Sequence, residues 1–173
     1  PYTAKGLMRG IQAAVHFKLN RDTLEGLRVS IQGAGKVSYY LSAYLYQEGA
    51  KITVCDPKPQ ATQQFVDQFD AHVVNPDEIY DVDCDIFSPC AIGGTINVET
   101  IGRINAKIIA GAGNNQLAHQ KLGLLLHKKN VLYAPDFVVN AGGLIQAASI
   151  HDYHDVTAAN QLIEQLHDRM LTL

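Results

Sequence analysis

Gly33, Gly35, Ser38 and Asp56 are the residues whose types and spacing point most directly to chemistry. They lie in the stretch RVSIQGAGKVSYYLSAYLYQEGAKITVCD, which runs from Arg28 to Asp56. Gly33 permits a tight turn off an apolar run, and Gly35 lets a phosphate approach the backbone. A helix opening at Lys36 and Val37 aims unpaired N–H groups and a partial positive charge at that phosphate. Asp56 closes a second apolar run, 23 positions after Gly33. An acid there accepts hydrogen bonds from the hydroxyls of an adenosine ribose. Ser38 stands where the third glycine of a dinucleotide fingerprint is expected, and a small side chain still allows close helix–strand packing. The G-x-G-x-x-S pattern alone is a weak signal. Flanked by a strand, a helix and an acid at this distance, it reads as a dinucleotide-binding unit. The competing reading is an ordinary glycine turn in an α/β protein.

The elements that must position these residues follow from apolar periodicity. Helices are expected over residues 2–19 (Thr3 as its N-cap), 36–48 and 59–69. Further helices are expected over 97–104, 116–129, 138–153 and 157–171, with a brief helical turn at 76–80. Short apolar strands are expected near 29–31, 52–55, 71–74, 85–88, 107–110 and 131–134. Six strands alternating with helices imply a doubly wound, Rossmann-type α/β domain. Its sheet is largely parallel, with helices on both faces. The expected strand order is 3-2-1-4-5-6, with a ligand above the carboxyl ends of the strands. The connection from the third strand to the fourth is short for a full crossover.

Three more loops should therefore share that edge. Residues 88–94 read SPCAIGG, a rigid and narrow loop suited to lining a ribose or a nicotinamide, or else a plain turn. Cys90 there is a possible nucleophile, but no histidine is near in sequence, and pocket lining is the favoured role. Residues 110–115 read AGAGNN: a ligand can approach closely there, and Asn114 or Asn115 either meets it or caps the next helix. Residues 135–143 read PDFVVNAGG. The Asn140 carboxamide can pair donor to acceptor with the carboxamide of nicotinamide, or cap a helix. His151 and His154 can share a helix face, but they match no zinc pattern, and a solvated helix end is the better reading. No metal site is expected.

Composition narrows the classes. The chain has 173 residues, 47% apolar, enough for one domain with a real core. Its formal charge of −3 lacks the basic footprint of a nucleic-acid binder. No apolar run approaches the ~20 residues of a membrane-spanning helix. Cys55, Cys84 and Cys90 have neither the number nor the spacing of a disulfide framework. A cytoplasmic location is the default. The sequence opens at Pro1 directly into a helix, which suggests a piece of a longer protein.

The stretches PYTAKGLMRGIQAA, GAGKVSYYLSAYLYQEGAKITVCD, DCDIFSPCAIGGTIN, IIAGAGNNQL and YAPDFVVNAGGLI carry a resemblance in both order and spacing. They resemble the leucine, phenylalanine and valine dehydrogenases, relatives of glutamate dehydrogenase, and leucine dehydrogenase looks closest. The resemblance implies the NAD-binding domain, residues 1–173, of an enzyme that oxidatively deaminates an amino acid to a 2-oxo acid and ammonia. Residues 1–19 would form a leading helix and 138–173 the C-terminal helices. It further implies that Thr3 holds the nicotinamide amide, that Gly33, Gly35, Lys36 and Val37 form the pyrophosphate loop, and that Asp56 binds the ribose. Cys90, Ala91, Ala112 and Asn114 would surround the nicotinamide ribose, and Asn140 would bind the amide. Val138 or Val139 would touch the substrate side chain. Lys36 departs from an asparagine usual in the family, and Ser38 from a glycine or alanine. None of the nine lysines matches the family's catalytic lysines. These belong to an upstream domain, so no catalytic residue is expected in this chain. The substrate would be shared with that domain, and the full-length protein would be a homo-oligomer. A non-catalytic module that binds NAD or another adenine nucleotide is the alternative. Asp56 favours NAD, since a carboxylate repels a 2′-phosphate, although Lys58 stands close by.

Overall fold

A computed structural model describes residues 2–139 together with 161, 162 and 165. In chain order the elements are α1 (Tyr2–Leu19), β1 (Arg28–Gln32), α2 (Lys36–Gln47), β2 (Lys51–Cys55), α3 (Pro59–Phe69) and β3 (His72–Val73). After them come β4 (Ile86–Pro89), β5 (Ile108–Ile109), α4 (Leu122–Lys128), β6 (Leu132–Tyr133) and the short α5 (Asp136–Val139). A 3-10 turn at Glu78–Tyr80 lies between β3 and β4. The sheet is ordered β3-β2-β1-β4-β5-β6 and every pairing is parallel, as the alternating pattern requires.

Alternation along the strands divides the interior into two layers. Val54, Ile86 and Ile108 face one side with Leu7, Ile11, Leu41, Leu45 and Phe65 from the first three helices. Their neighbours Cys55, Phe87 and Ile109 face the other side with Ile96, Ile101, Leu122 and Leu126. The central strands β4 and β5 are buried on both faces, and β5 accordingly reads as an unbroken apolar pair, whereas the edge strand β3 is exposed. The helix α3 starts with Pro59 at its first position, where no N–H is missed. The turn after α2 uses Gly49 at φ +77°.

Several boundaries differ from the periodicity. Thr3 lies inside the first turn of α1 instead of capping it. Residues 97–104 form turns, not a helix. Asn97 Oδ1 accepts the N–H of Glu99 and of Thr100, while Thr100 Oγ1 donates to the Thr95 carbonyl at 2.7 Å. These local bonds compete with the helical ladder. Residues 116–118 pair with Ile96 through the bonds Ile96 N–H to Gln116 O and Ala118 N–H to Ile96 O, so the fourth helix begins only at Leu122. The segment between β3 and β4 is held by Arg103, which bridges Asp77 and Asp81 and lies over the Tyr80 ring. That clamp takes the place of a crossover helix. The expected helices beyond residue 139 lie outside the described residues. Among the described residues, no helix is long and apolar enough to cross a membrane.

Cys55 ties the fold to pH. Burial pushes its thiol up from 9.0 to about 11, against a lowering bond from the Gly33 N–H and helped by the Asp56 charge. An unfolded chain ionises this thiol first, so its contribution is whole below pH 9 and lost as pH rises through 11. Urea unfolding should show stability falling over that interval, with Cys55 contributing on the order of 2 kcal/mol. Cys55→Ala should make the fall less steep, leaving the part due to Cys84, Cys90 and Tyr133, which burial also raises.

Candidate functional site

Every strand except the short edge strand β3 ends at a loop that builds one surface. At the end of β1, Gly33 adopts φ +97°, and its N–H donates to the Cys55 carbonyl at 2.9 Å. A side chain at Gly33 would sit 3.0 Å from the Ala91 Cβ, so the glycine is needed for the turn and for packing against the next loop. Gly35 caps α2 in an extended conformation and offers no side-chain bond to the helix. A Cβ there would meet nothing within 4 Å. Its small size therefore has no explanation in the packing of the described residues. Beside it the first turn of α2 leaves N–H groups without helical partners, and Lys36 is exposed at its start. Ser38 is 1% exposed, so the substitution of a glycine position has been absorbed into the interior.

Asp56 stands half-buried beyond β2. Its Oδ2 accepts the Ala34 N–H and its Oδ1 accepts the Lys58 N–H, both at 2.9 Å. Each oxygen retains a lone pair for a further donor.

Beyond β4, Cys90 donates its N–H to the Gln32 carbonyl at 2.8 Å, locking this loop to β1. Its sulfur lies 3.4 Å from Ser88 Oγ and 3.4 Å from the Ala112 nitrogen. The Ser38 hydroxyl also leans on it, short of a well-formed hydrogen bond. Burial pushes the Cys90 thiol up despite the Ala112, Ser88 and Ser38 contacts, which work the other way. A half-buried thiol held protonated is a poor nucleophile, so lining and loop tethering are its work here. Ala91 and Ile92 are exposed on the same loop.

The loop after β5 is zipped onto the one after β4. A Cβ on Gly111 would fall 2.1 Å from the Pro89 carbonyl oxygen, and one on Gly113 2.9 Å from that of Ala91. Gly113 N–H donates to Pro89 O at 2.9 Å, and Gly94 N–H to Asn115 O at 2.8 Å. Gly111 and Gly113 are thus spent on backbone contact between loops, a constraint that the sequence reading assigned to ligand approach. Ala112 between them is half-buried, and Asn114 after them is exposed. Neither Asn114 nor Asn115 caps α4, whose N-cap is Lys121. Asn115 takes φ +53° and donates its N–H to Asp136 at 2.5 Å, joining this loop to α5.

Thr3 sits half-buried on α1, which packs against α5. Val139 is wholly buried in the first core layer, while Val138 is half-buried and keeps surface. Asn140, His151 and His154 lie outside the described residues. Sequence reasoning missed Gln116, which is 1% exposed and donates from Nε2 to the Gly111 carbonyl at 2.7 Å. A glutamine next to two asparagines gave no signal that it was internal.

Residues 54–150 match the model of the Glutamate/Leucine/Phenylalanine/Valine dehydrogenase family. The chain belongs to that family. It is 44% identical to leucine dehydrogenase of Bacillus cereus over 97% of its own length and 46% of that protein's. It is also 44% identical to phenylalanine dehydrogenase of Caldalkalibacillus thermarum, over 84% of this chain and 41% of that protein. The crystal structure of L-tryptophan dehydrogenase from Nostoc punctiforme superposes with a TM-score of 0.96 at 40% identity, covering 99% of this chain and 52% of that one. This dehydrogenase-family chain spans about half the length of the curated relatives it matches. All of these relatives bear the names of enzymes, which does not favour a non-catalytic module.

The zipped loops give a direct test. Gly111→Ala in this family member would force the loops after β4 and β5 apart. It should lower the free energy of unfolding by at least about 2 kcal/mol, as measured by urea denaturation. A change within about 0.5 kcal/mol would mean that the loops do not need this contact.

Proposed function

We propose that this chain is the coenzyme-binding domain of an NAD-dependent amino-acid dehydrogenase. The whole enzyme would oxidatively deaminate a branched-chain or aromatic L-amino acid to its 2-oxo acid and ammonia. The observation that carries the reading is Gly35: a glycine with open space where its side chain would be, beside the unpartnered first turn of a 12-residue helix. Nothing among the described residues requires that residue to be small, whereas a pyrophosphate lying against the backbone does.

In this reading Gly33, Gly35, Lys36 and Val37 hold the pyrophosphate. The helix N-terminus supplies N–H donors, and the exposed Lys36 adds a positive charge in place of the family's asparagine. Asp56 uses its remaining lone pairs for the adenosine ribose. Cys90, Ala91, Ala112 and Asn114 surround the nicotinamide ribose. Thr3 and Asn140 hold the amide, which fixes the face of the ring presented to substrate. When bound, NAD supplies the hydride acceptor. The chain's own share is to orient that ring and to exclude water from its pocket. Val138, the member of the valine pair that keeps surface, meets the substrate side chain. Leucine-, tryptophan- and phenylalanine-specific enzymes all stand among the relatives, so the class of substrate is an apolar amino acid.

The groups that accept protons from substrate belong to an upstream domain. This chain alone binds coenzyme without turnover, and the amino acid binds between the two parts. The full-length protein would be a homo-oligomer, and with the reading goes a cytoplasmic location.

The test is an assay of the protein expressed from the longer reading frame. Leucine, phenylalanine or tryptophan should each be tried with NAD, following the absorbance of the reduced nicotinamide. Production of NADH that depends on one of these amino acids is expected. Gly35→Ala in the same protein should lower kcat/KM by more than about tenfold while changing stability by less than ~1 kcal/mol. No amino-acid-dependent NADH, or a Gly35→Ala enzyme of unchanged activity, would sink the assignment.

A further inference from the structure

Asp56 has partners that its expected role at the ribose does not require. The two bonds run in opposite directions along the chain. Oδ2 reaches back to the N–H of Ala34, the residue between the two glycines of the turn, and Oδ1 reaches forward to the N–H of Lys58, the N-cap of α3. Ala34 is 6% exposed, so its N–H has no ready supply of water in place of the carboxylate. The preceding N–H, that of Gly33, is held by the carbonyl of Cys55. Two consecutive N–H groups of the turn are thus held by two consecutive residues at the end of β2. The first acceptor is a backbone oxygen and the second is a charged side chain. The N-cap of α2 is Gly35, which has no side chain with which to hold its own helix start.

We infer that Asp56 is a positioning residue: its carboxylate builds the glycine turn between β1 and α2 before any coenzyme arrives, and fixes the start of α3 at the same time. Its effect on coenzyme choice follows, and that part rests on the coenzyme reading above. The carboxylate cannot swing aside for a 2′-phosphate without releasing both the Ala34 and the Lys58 N–H. Selection against NADPH and the shape of the pyrophosphate turn are therefore set by one group. Removing the acid does not turn the site into an NADPH site, because the turn that serves both coenzymes loosens with it.

The test uses this chain in three forms: the natural sequence, Asp56→Ala and Asp56→Asn. Amide hydrogen exchange is first followed by NMR without coenzyme. The Ala34 and Lys58 amides should exchange faster in Asp56→Ala by at least about tenfold, and less so in Asp56→Asn, which keeps one acceptor oxygen. The amides of Ile31 and Val54 within the sheet should be unchanged, which controls for folding. If Asp56→Ala does not fold, the same amides in Asp56→Asn decide. NADH and NADPH are then titrated separately, and both should bind more weakly to Asp56→Ala. Unchanged exchange at Ala34, or a gain in NADPH affinity as NADH is lost, would leave Asp56 as a ribose ligand only and overturn the inference. A natural chain that binds neither coenzyme would defeat the coenzyme reading alone, and the exchange data would still decide the role of Asp56 in the turn.

Discussion

Backbone atoms of the β4 and β5 loops approach each other more closely than any side chain would permit. Gly111 lies against Pro89, Gly113 against Pro89 and Ala91, and Gly93 against the carbonyls of Asn114 and Asn115. This contact turns two loops into one layer at the carboxyl edge of the sheet. The loop after β1 joins the same layer through Gly33 against Ala91 and through the Cys90 N–H on Gln32. The loop after β6 joins it through Asp136 on the Asn115 N–H. Four of the five loops of this surface are thereby held to a fixed shape, which a dinucleotide lying across it needs.

The Cys90 thiol lies under that layer where α2, β4 and the β5 loop meet. Contacts from Ser88, Ala112 and Ser38 converge on it. Ser38 is the residue that departs from the expected small fingerprint position. Its hydroxyl is buried beside the thiol without a well-formed hydrogen bond to it. Below the layer the sheet contributes rigidity by burying alternate residues of β2, β4 and β5 in two apolar cores. The first of these cores also holds α1 and Val139, and this brings the leading helix and the segment after β6 to the same edge.

The parallel order of six strands could be read from the sequence because each strand is a short apolar run bounded by glycine, proline or acid. The unit of strand, glycine turn, helix, strand and acid was legible because its residues obey a spacing that few other arrangements use. What escaped the sequence was set by contacts between distant loops. The pairing of Ile96 with residues 116–118 replaced the first turn of a periodic helix, and side-chain bonds at Asn97 and Thr100 replaced another helix with turns. Glycines in the β5 loop looked like room for a ligand but are filled by neighbouring backbone. Gly35 alone of the fingerprint pair keeps its open space, and no local pattern distinguishes it from Gly111. The tether from Asp56 to Ala34 likewise joins residues 22 positions apart, beyond the reach of periodicity.

The central claim is that this carboxyl-edge surface takes up a nicotinamide dinucleotide. It is tested most directly by titrating the chain with NADH and watching the fluorescence of the reduced nicotinamide, in a protein without tryptophan. Saturable binding with NADPH clearly weaker is the predicted result. Equal binding of both coenzymes would contradict the role given to Asp56 as the selecting acid, and no saturation with either would contradict the account of the surface itself.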